Sequence, residues 1–453
     1  MKKVLSILLA AAFVLAMAGC GGSTGTNPPA SSSKAADSST ATPAPEAPKA
    51  DPAKYAVTEP IEIEFWHALE TDNQDTVDKV VKMFMEKNPN IKVNAIYQGS
   101  YSEVNEKLIA AQAAGTTLPA VTVANTPYVA EYGASGLCEP LDDYIVNTGF
   151  EIDDFGAGLV ASTQFDGKQT CLPFLISTQV MYYNKTLADA EGITLPEKIS
   201  DMDAFMKKAA IVTDGSTQRY ATIVPGWDQW YFETFFLNQG VKIVNDDMVS
   251  TDLGSDKALA VAKQFQQWHN DGVMYWAYGT DASTIMRQNF IDQKAFSVMH
   301  TSSLYNTYAE KCKFEVGMHY YPGAEQRKSE VGGSVLLIPA KLDQKVKNAG
   351  WQLLSFMCSK DVNMIWAEET GYMPTRNSVT KTDAGKAFLA KKPAFQTVFD
   401  NIDNINPRIQ HKAYSAFSKI WKESMAKAIV EMGDVVASMR EAVVKMDEIL
   451  SDS

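Results

Sequence analysis

The chain has 453 residues, of which 45% are hydrophobic and 21% charged, a composition that buries a sizeable core and excludes a fibrous or disordered protein. Its formal net charge is −13, and a surface of that sign repels nucleic acid and anionic membranes, so a DNA- or RNA-binding role is set aside. Length alone suggests two or three domains.

The N-terminus begins with basic Lys2-Lys3, continues as an apolar run from Val4 to Met17 that is too short to span a bilayer, and places small Ala18-Gly19 before Cys20. This is the pattern of a lipoprotein signal peptide over residues 1–19, with Cys20 as the lipidated first residue of the mature chain. Met17 stands where Leu is commonest. The alternative, an ordinary secretory signal with an incidental Cys, is disfavoured by the small polar residues that follow at once. Loss of Lys2 and Lys3 with the leader leaves 39 basic against 54 acidic residues, or −15. Residues 20–60 are rich in Gly, Ser, Thr, Ala and Pro, cannot bury enough apolar surface to fold, and are expected to form a disordered tether reaching roughly 35 Å.

Ile61-Glu62-Ile63-Glu64-Phe65-Trp66-His67 alternates strictly and predicts a strand with one buried face. Val77, Val80, Val81 and Phe84 have helical spacing and end before Asn88-Pro89; Ile91 to Tyr97 predicts a second strand. A second helix runs from Tyr101 to Ala114 and stops at Gly115, and a third strand covers Pro119 to Ala124. Strand, helix, strand, helix, strand implies a mostly parallel sheet with covering helices, whose ligands sit beyond the carboxyl ends of the strands. The loops after His67, Tyr97 and Ala124 are therefore candidates.

Pro173 to Lys185, rich in aromatic and β-branched residues and preceded by Asp166-Gly167, predicts an extended crossing strand. Helices are predicted over Asp201–Ala210, Asp228–Asn238 and Ser255–Asn270, with strands over Tyr220–Val224 and Lys242–Val244. A further strand at Phe296–His300 ends in Thr301-Ser302-Ser303, hydroxyls suited to open a helix. Gly332-Gly333-Ser334 precedes a strand over Val335–Pro339, and Asn348–Met357 is an amphipathic helix. Residues Phe388 to Leu450 are mainly helical with no strand signal.

Cys138, Cys171, Cys312 and Cys358 have no Cys-x-x-Cys or zinc spacing, and His67, His269, His300, His319 and His411 form no ligand pair. No metal and no cofactor are expected, and the cysteines are taken as buried small hydrophobes. A disulfide is not legible from the sequence. Trp227 and Trp230, three apart in Gly226-Trp227-Asp228-Gln229-Trp230 at the start of the helix, predict a shared apolar face suited to sugar C–H groups. Core packing is the alternative for both. Gly371 and Pro374 would hold Tyr372 on a rigid loop, and Arg408 after Asn406-Pro407 could present its guanidinium to a phosphate or carboxylate.

Phe65-Trp66-His67, Gly99-Ser100-Tyr101-Ser102-Glu103, Leu118-Pro119-Ala120-Val121, the Pro173–Lys185 crossing, Gly226-Trp227 with Trp230, Gly332-Gly333 and Glu369-Thr370-Gly371-Tyr372-Met373-Pro374 occur in one order. That ordered set resembles the glycerol-3-phosphate-binding branch of family-1 extracellular solute-binding proteins, the receptors of bacterial ABC importers, over most of residues 61–410. The resemblance implies a type II periplasmic-binding-protein fold, two α/β lobes joined by crossing strands at a hinge. Residues 61–176 with about 323–365 would form lobe 1, and 177–322 with about 366–453 lobe 2. It implies a monomer that delivers its ligand to ABC permease subunits, with the lipid anchor as its hold on the membrane.

Carried over by position, Tyr101, Ser177, Trp227, Trp230, Ser302, Gly333, Tyr372 and Arg408 would line the cleft. The indoles would pack on the polyol, and Arg408 would hold an anion. Where that branch has a Glu after the third strand, this chain has Asn125-Thr126, which makes Thr126 the candidate there. Glycerol-3-phosphate, a glycerophosphodiester and a neutral oligosaccharide remain as ligands. An extracellular carbohydrate-active enzyme is the second reading, but Glu368-Glu369 and Asp142-Asp143 are adjacent rather than paired across a sugar, and no Gly-x-Ser-x-Gly occurs. A surface adhesion protein is the third.

Overall fold

Alternation over Ile61-Glu62-Ile63-Glu64-Phe65 produces strand β1 (Ile61–His67), which buries Ile63, Phe65 and His67 on one face. The computed structural model describes residues 50–452 apart from positions 70, 402 and 403, and the side chains at 71, 72 and 102. The expected signal peptide, Cys20 and residues 21–49 lie outside the described residues.

Helix α1 (Thr71–Lys87) turns Val77, Val80, Val81 and Phe84 inward, and β2 (Ile91–Tyr97) runs parallel to β1 from the Ile61–Ile91 pair to His67–Tyr97. Helix α2 (Tyr101–Ala114) opens on a capping box between Ser100 and Glu103 and closes at Gly115, whose φ of 65° a side chain would resist. β3 (Val121–Asn125) pairs with the other edge of β1, and α3 (Val129–Ala134) follows it.

β4 (Leu172–Asn184) is the long crossing strand, 13 residues and therefore about 43 Å. Every residue in it except Tyr183 is buried. Beyond it come β5 (Ser216–Pro225), α4 (Trp230–Asn238), β6 (Ala295–Thr301), β7 (Ser329–Leu337), α5 (Lys360–Thr370) and α6 (Tyr414–Ile429).

The strand order is β2-β1-β3-β7-β4-β6-β5, with Ile211–Thr213 on the far edge. Pairing is parallel at β2–β1, β1–β3 and β6–β5 and antiparallel at β3–β7, β7–β4, β4–β6 and between β5 and Ile211–Thr213. β4 pairs with β7 over its first half, up to Thr178, and with β6 from Gln179 onward. One strand thus serves two sheets, and its side chains enter three cores. Leu172, Phe174 and Leu175 join the first with Phe65, Phe84 and Trp351. Met181 joins the second with Phe232, Phe265 and Trp421, and Ile176, Val180 and Tyr182 join the third with Phe290 and Phe395. These are two α/β lobes joined by crossing strands.

Several sequence expectations are corrected. Pro52–Tyr55, assigned to the tether, form a 3-10 turn; Tyr55 is buried, stacks on Tyr144 at 4.2 Å, and its carbonyl accepts from Gln352 Nε2 at 3.0 Å. Lys242–Val244 are not a strand, because their loop closes on itself through Asn245 N–H to Ser250 O (2.8 Å) and Asp252 N–H to Lys242 O (3.0 Å). Gly332 and Gly333 lie inside β7, not before it. A two-residue strand, Ile405–Asn406, pairs with Ser329 and Glu330 in a region read as lacking strands. The C-terminal region is helical as expected, and its helices enter the core: Phe417, Trp421, Met439 and Met446 belong to the second cluster. Trp366 of α5 belongs to the first core and Thr76 of α1 donates to Glu369 at 3.1 Å, while Ala367 of the same helix joins the third core. Cys138, Cys171, Cys312 and Cys358 are free, and no group of metal-ligating side chains and no helix fit to cross a membrane occurs among the described residues.

Candidate functional site

The two crossing strands meet where Ser177 of β4 stands opposite Gly332 of β7, so both positions present the same face of the sheet. The Trp230 indole lies against that face: a methyl on Gly332 would come within 2.4 Å of its Cζ2 and 3.0 Å of Ser177 Oγ. Gly333 has φ +93° and packs on the Leu175 carbonyl so closely that a Cβ would sit 1.8 Å from the oxygen. Neither position tolerates a side chain without something moving.

Trp230 is the first residue of α4, held by Gln179 Nε2 donating to its carbonyl (2.6 Å) and by Asp228 Oδ1 accepting its N–H (3.0 Å). Trp227 lies in the preceding turn, which corrects the expectation of two indoles on one helical face. Tyr231 bridges them instead, with ring centroids 5.2 Å from Trp227 and 4.9 Å from Trp230. Both indole Nε1 groups are buried without a hydrogen-bond partner among the described residues. His300 lies behind, 5.2 Å from the Tyr231 ring; burial, with a contribution from the Arg287 charge, lowers its pKa to about 3, so its imidazole is neutral.

Arg408 is 5% exposed, with its guanidinium 5.7 Å from the Trp230 ring centroid and 5.3 Å from that of Tyr414. Its Nη2 donates to the Tyr414 hydroxyl, and its Nε lies 4.0 Å from Glu330 Oε1. Glu233 of α4 is buried beside Glu330, close enough for each carboxyl to perturb the other. Burial pushes both carboxyls above the ordinary carboxylate range, and the Arg408 charge opposes this. Glu330 Oε2 also accepts from Thr234 Oγ1 (3.3 Å) and Gln179 Nε2 (3.4 Å). Glu330 Oε1, Glu233 Oε1 and Arg408 Nε keep no hydrogen-bond partner among the described residues.

Gln410 joins this cluster to the turn after β3 by donating to the carbonyls of Thr126 (3.4 Å) and Arg408 (3.3 Å). Thr126 is buried and its Oγ1 is unpartnered, as is Ser334 Oγ on β7. Thr126, Ser177, Trp230 and Arg408 are thus linked around the crossing. Ser302 is tied into the framework, its hydroxyl accepting from Thr178 N–H at 3.1 Å. Tyr101 and Tyr372 are half-buried and pack on the first core. Buried unpartnered polar groups cost about 1–3 kcal/mol each and are few in native proteins, so their concentration here marks a place for a polar molecule. A depression of about 710 Å³ walled by Tyr55, Trp351, Gln352 and Arg376 lacks that feature. There Arg376 donates to the carbonyls of Cys358 (3.0 Å) and Glu151 (2.7 Å).

Sequence reasoning missed Glu330, Glu233, Gln410 and Tyr414. A signal existed for two of them: Glu233 interrupts the apolar run Trp230-Tyr231-Phe232…Phe235-Phe236, and Glu330 is charged inside a strand that is otherwise small or apolar.

A model of the bacterial extracellular solute-binding protein family matches residues 79–397. The chain belongs to that family. The sn-glycerol-3-phosphate-binding periplasmic protein UgpB of Escherichia coli is 24% identical over 364 residues, covering 76% of this chain and 81% of that protein. UgpB from Mycobacterium tuberculosis, solved with glycerophosphocholine, aligns with a TM-score of 0.75 and 21% identity over 87% of this chain and 99% of its own. The GacH receptor of Streptomyces glaucescens, solved unliganded and with acarbose, gives 0.74 and 18% over 86% and 98%. These likenesses agree with the periplasmic-binding-protein fold expected from the ordered motifs. As a solute-binding protein of an extracellular family, the chain is a binding protein rather than an enzyme and is extracytoplasmic.

Proposed function

We propose that this solute-binding protein is the receptor of an ABC importer, capturing a sugar or glycerol-phosphate-type ligand between its lobes and delivering it to the permease. The observation that carries this reading is the group of buried, unpartnered donors and acceptors around Trp230 and Arg408, where β4 and β7 cross. Ser177 and Trp230 would form the floor, Thr126 and Gly333 would border it, and Trp227, Ser302, Tyr101, Tyr372 and Arg408 complete the candidate contacts. Residues 61–176 with about 323–365, and 177–322 with about 366–453, would move as the two lobes.

Relatives named for glycerol-3-phosphate, glycerophosphocholine and acarbose support hydroxyl-rich ligands as a class. Titration calorimetry against glycerol-3-phosphate, glycerophosphocholine, maltotriose and xylo-oligosaccharides is expected to give saturable binding to at least one, abolished by Trp230→Ala. Absence of binding across the panel would defeat the proposal. The Lys2-Lys3 leader and Cys20 support a lipid anchor, and Cys20→Ser is expected to release the protein from the membrane fraction.

A further inference from the structure

We propose that Glu330, backed by Glu233, is a charge filter: by pairing with Arg408 it makes the cleft select an uncharged hydroxyl-rich ligand and exclude phosphorylated ones. The inference rests on the cleft being the ligand site and goes further by naming the residue that decides ligand charge. Arg408 is the cation a phosphate would seek, yet it is already opposed by Glu330 at 4.0 Å, with both side chains at most 5% exposed. The Glu330 carboxyl faces the Arg408 guanidinium, and buried Glu233 lies beside it. An anion entering beside Trp230 therefore gains from Arg408 and loses to Glu330, in surroundings with little water to screen either.

Hydrogen-bond chemistry points the same way. The groups left without partners include acceptors, Glu330 Oε1 and Glu233 Oε1, as well as donors, Arg408 Nε and the Trp230 indole N–H. A hydroxyl donates and accepts, so a sugar or polyol can satisfy both kinds. A fully ionised phosphate ester group only accepts, so where it lies against Glu330 it offers that carboxyl no donor.

The test uses the full chain and Glu330→Gln, titrated with inorganic phosphate, glycerol-3-phosphate, glycerophosphocholine and maltotriose by calorimetry and thermal shift. Wild-type protein is expected to show no saturable binding to the three phosphorus compounds. Glu330→Gln, which frees Arg408, is expected to gain affinity for glycerol-3-phosphate by about 10- to 100-fold, a gain that adding Arg408→Gln removes. Binding of glycerol-3-phosphate or glycerophosphocholine by wild type, lost in Trp230→Ala, overturns the filter while upholding the receptor. A folded Glu330→Gln protein without the gain overturns it too. If Glu330→Gln does not fold, Glu330→Asp, which withdraws the carboxylate from Arg408, takes its place with a smaller gain expected and the same overturning result. Wild type that binds no probe defeats the receptor reading alone, since the phosphate response of the variant still decides the filter.

Discussion

Gly332 and Gly333 are neighbours in β7, and the same substitution at each should fail for different reasons. At Gly332 the backbone lies outside the positive-φ region, but a methyl would stand 2.4 and 2.5 Å from Cζ2 and Cη2 of Trp230. Carbon atoms rest about 3.5–4.0 Å apart, so the indole must retreat by about 1 Å. Such overpacking costs about 1–3 kcal/mol, and the strain falls on the Trp230 ring, the proposed floor of the site. At Gly333 the methyl would meet the Leu175 carbonyl oxygen at 1.8 Å, on a paired strand that cannot swing aside. The φ of +93° adds about 1–2 kcal/mol for any side chain, giving a total loss of about 4 kcal/mol or more. Urea unfolding followed by tryptophan fluorescence measures both, and calorimetry with whichever probe binds measures the site. Gly332→Ala is expected to fold, lose about 1–3 kcal/mol and bind about tenfold more weakly. Gly333→Ala is expected to be the less stable protein. Equal stability of the two variants, or unchanged affinity in Gly332→Ala, would refute this account of the crossing.

Other predictions concern protonation, the lobe contact and the first folded turn. The His300 pKa of about 3 lies below the unfolded value near 6.5, so the unfolded chain binds the extra proton. Stability should fall as pH drops below about 6.5, by about 2 kcal/mol at pH 5 from this residue, and denaturant midpoints for His300→Leu should show a shallower acid arm. Glu131 of α3 accepts from the N–H (3.3 Å) and hydroxyl (2.8 Å) of Ser415 at the start of α6, whose flanking Ala413 provides no side-chain cap. Removing it in Glu131→Ala should cost about 0.5–2 kcal/mol and raise the ligand-free radius of gyration in small-angle scattering; an unchanged curve counts against a contact that holds the lobes together. Tyr55→Ala, which removes a ring stacked at 4.2 Å on Tyr144, is expected to lose about 3 kcal/mol in thermal or urea unfolding. No loss would return residues 52–55 to the tether.

The elements easiest to read were those whose burial follows a local period. Ile63 and Phe65 alternate, Val77 to Phe84 recur at helical spacing, and Ser100 with Glu103 states a helix start, so β1, α1 and α2 were legible with nearly their observed limits. Tyr55 was not legible, because one aromatic among Pro and Ala carries no period and its partners Tyr144 and Trp351 are distant in sequence. Lys242–Val244 failed in the opposite way: an apolar triplet looks like a strand, but its backbone bonds close a loop. Trp230 and Arg408 were selected as site candidates, Arg408 as a guanidinium that could meet a phosphate or carboxylate. The ion pair that occupies it joins residues 78 positions apart, and no local pattern in Ser329-Glu330-Val331 or Pro407-Arg408 declares it.

By itself, the sequence determined the α/β class, the position of the long crossing strand and the family, because hydrophobic periodicity and the order of short motifs are properties of neighbouring residues. Tertiary structure alone decided that β4 enters three cores, that Gly332 yields its space to the Trp230 ring, and that Glu330 confronts Arg408. Each of these is a contact between segments far apart in the chain, set by how whole strands and helices stack and not by the preferences of the residues beside them.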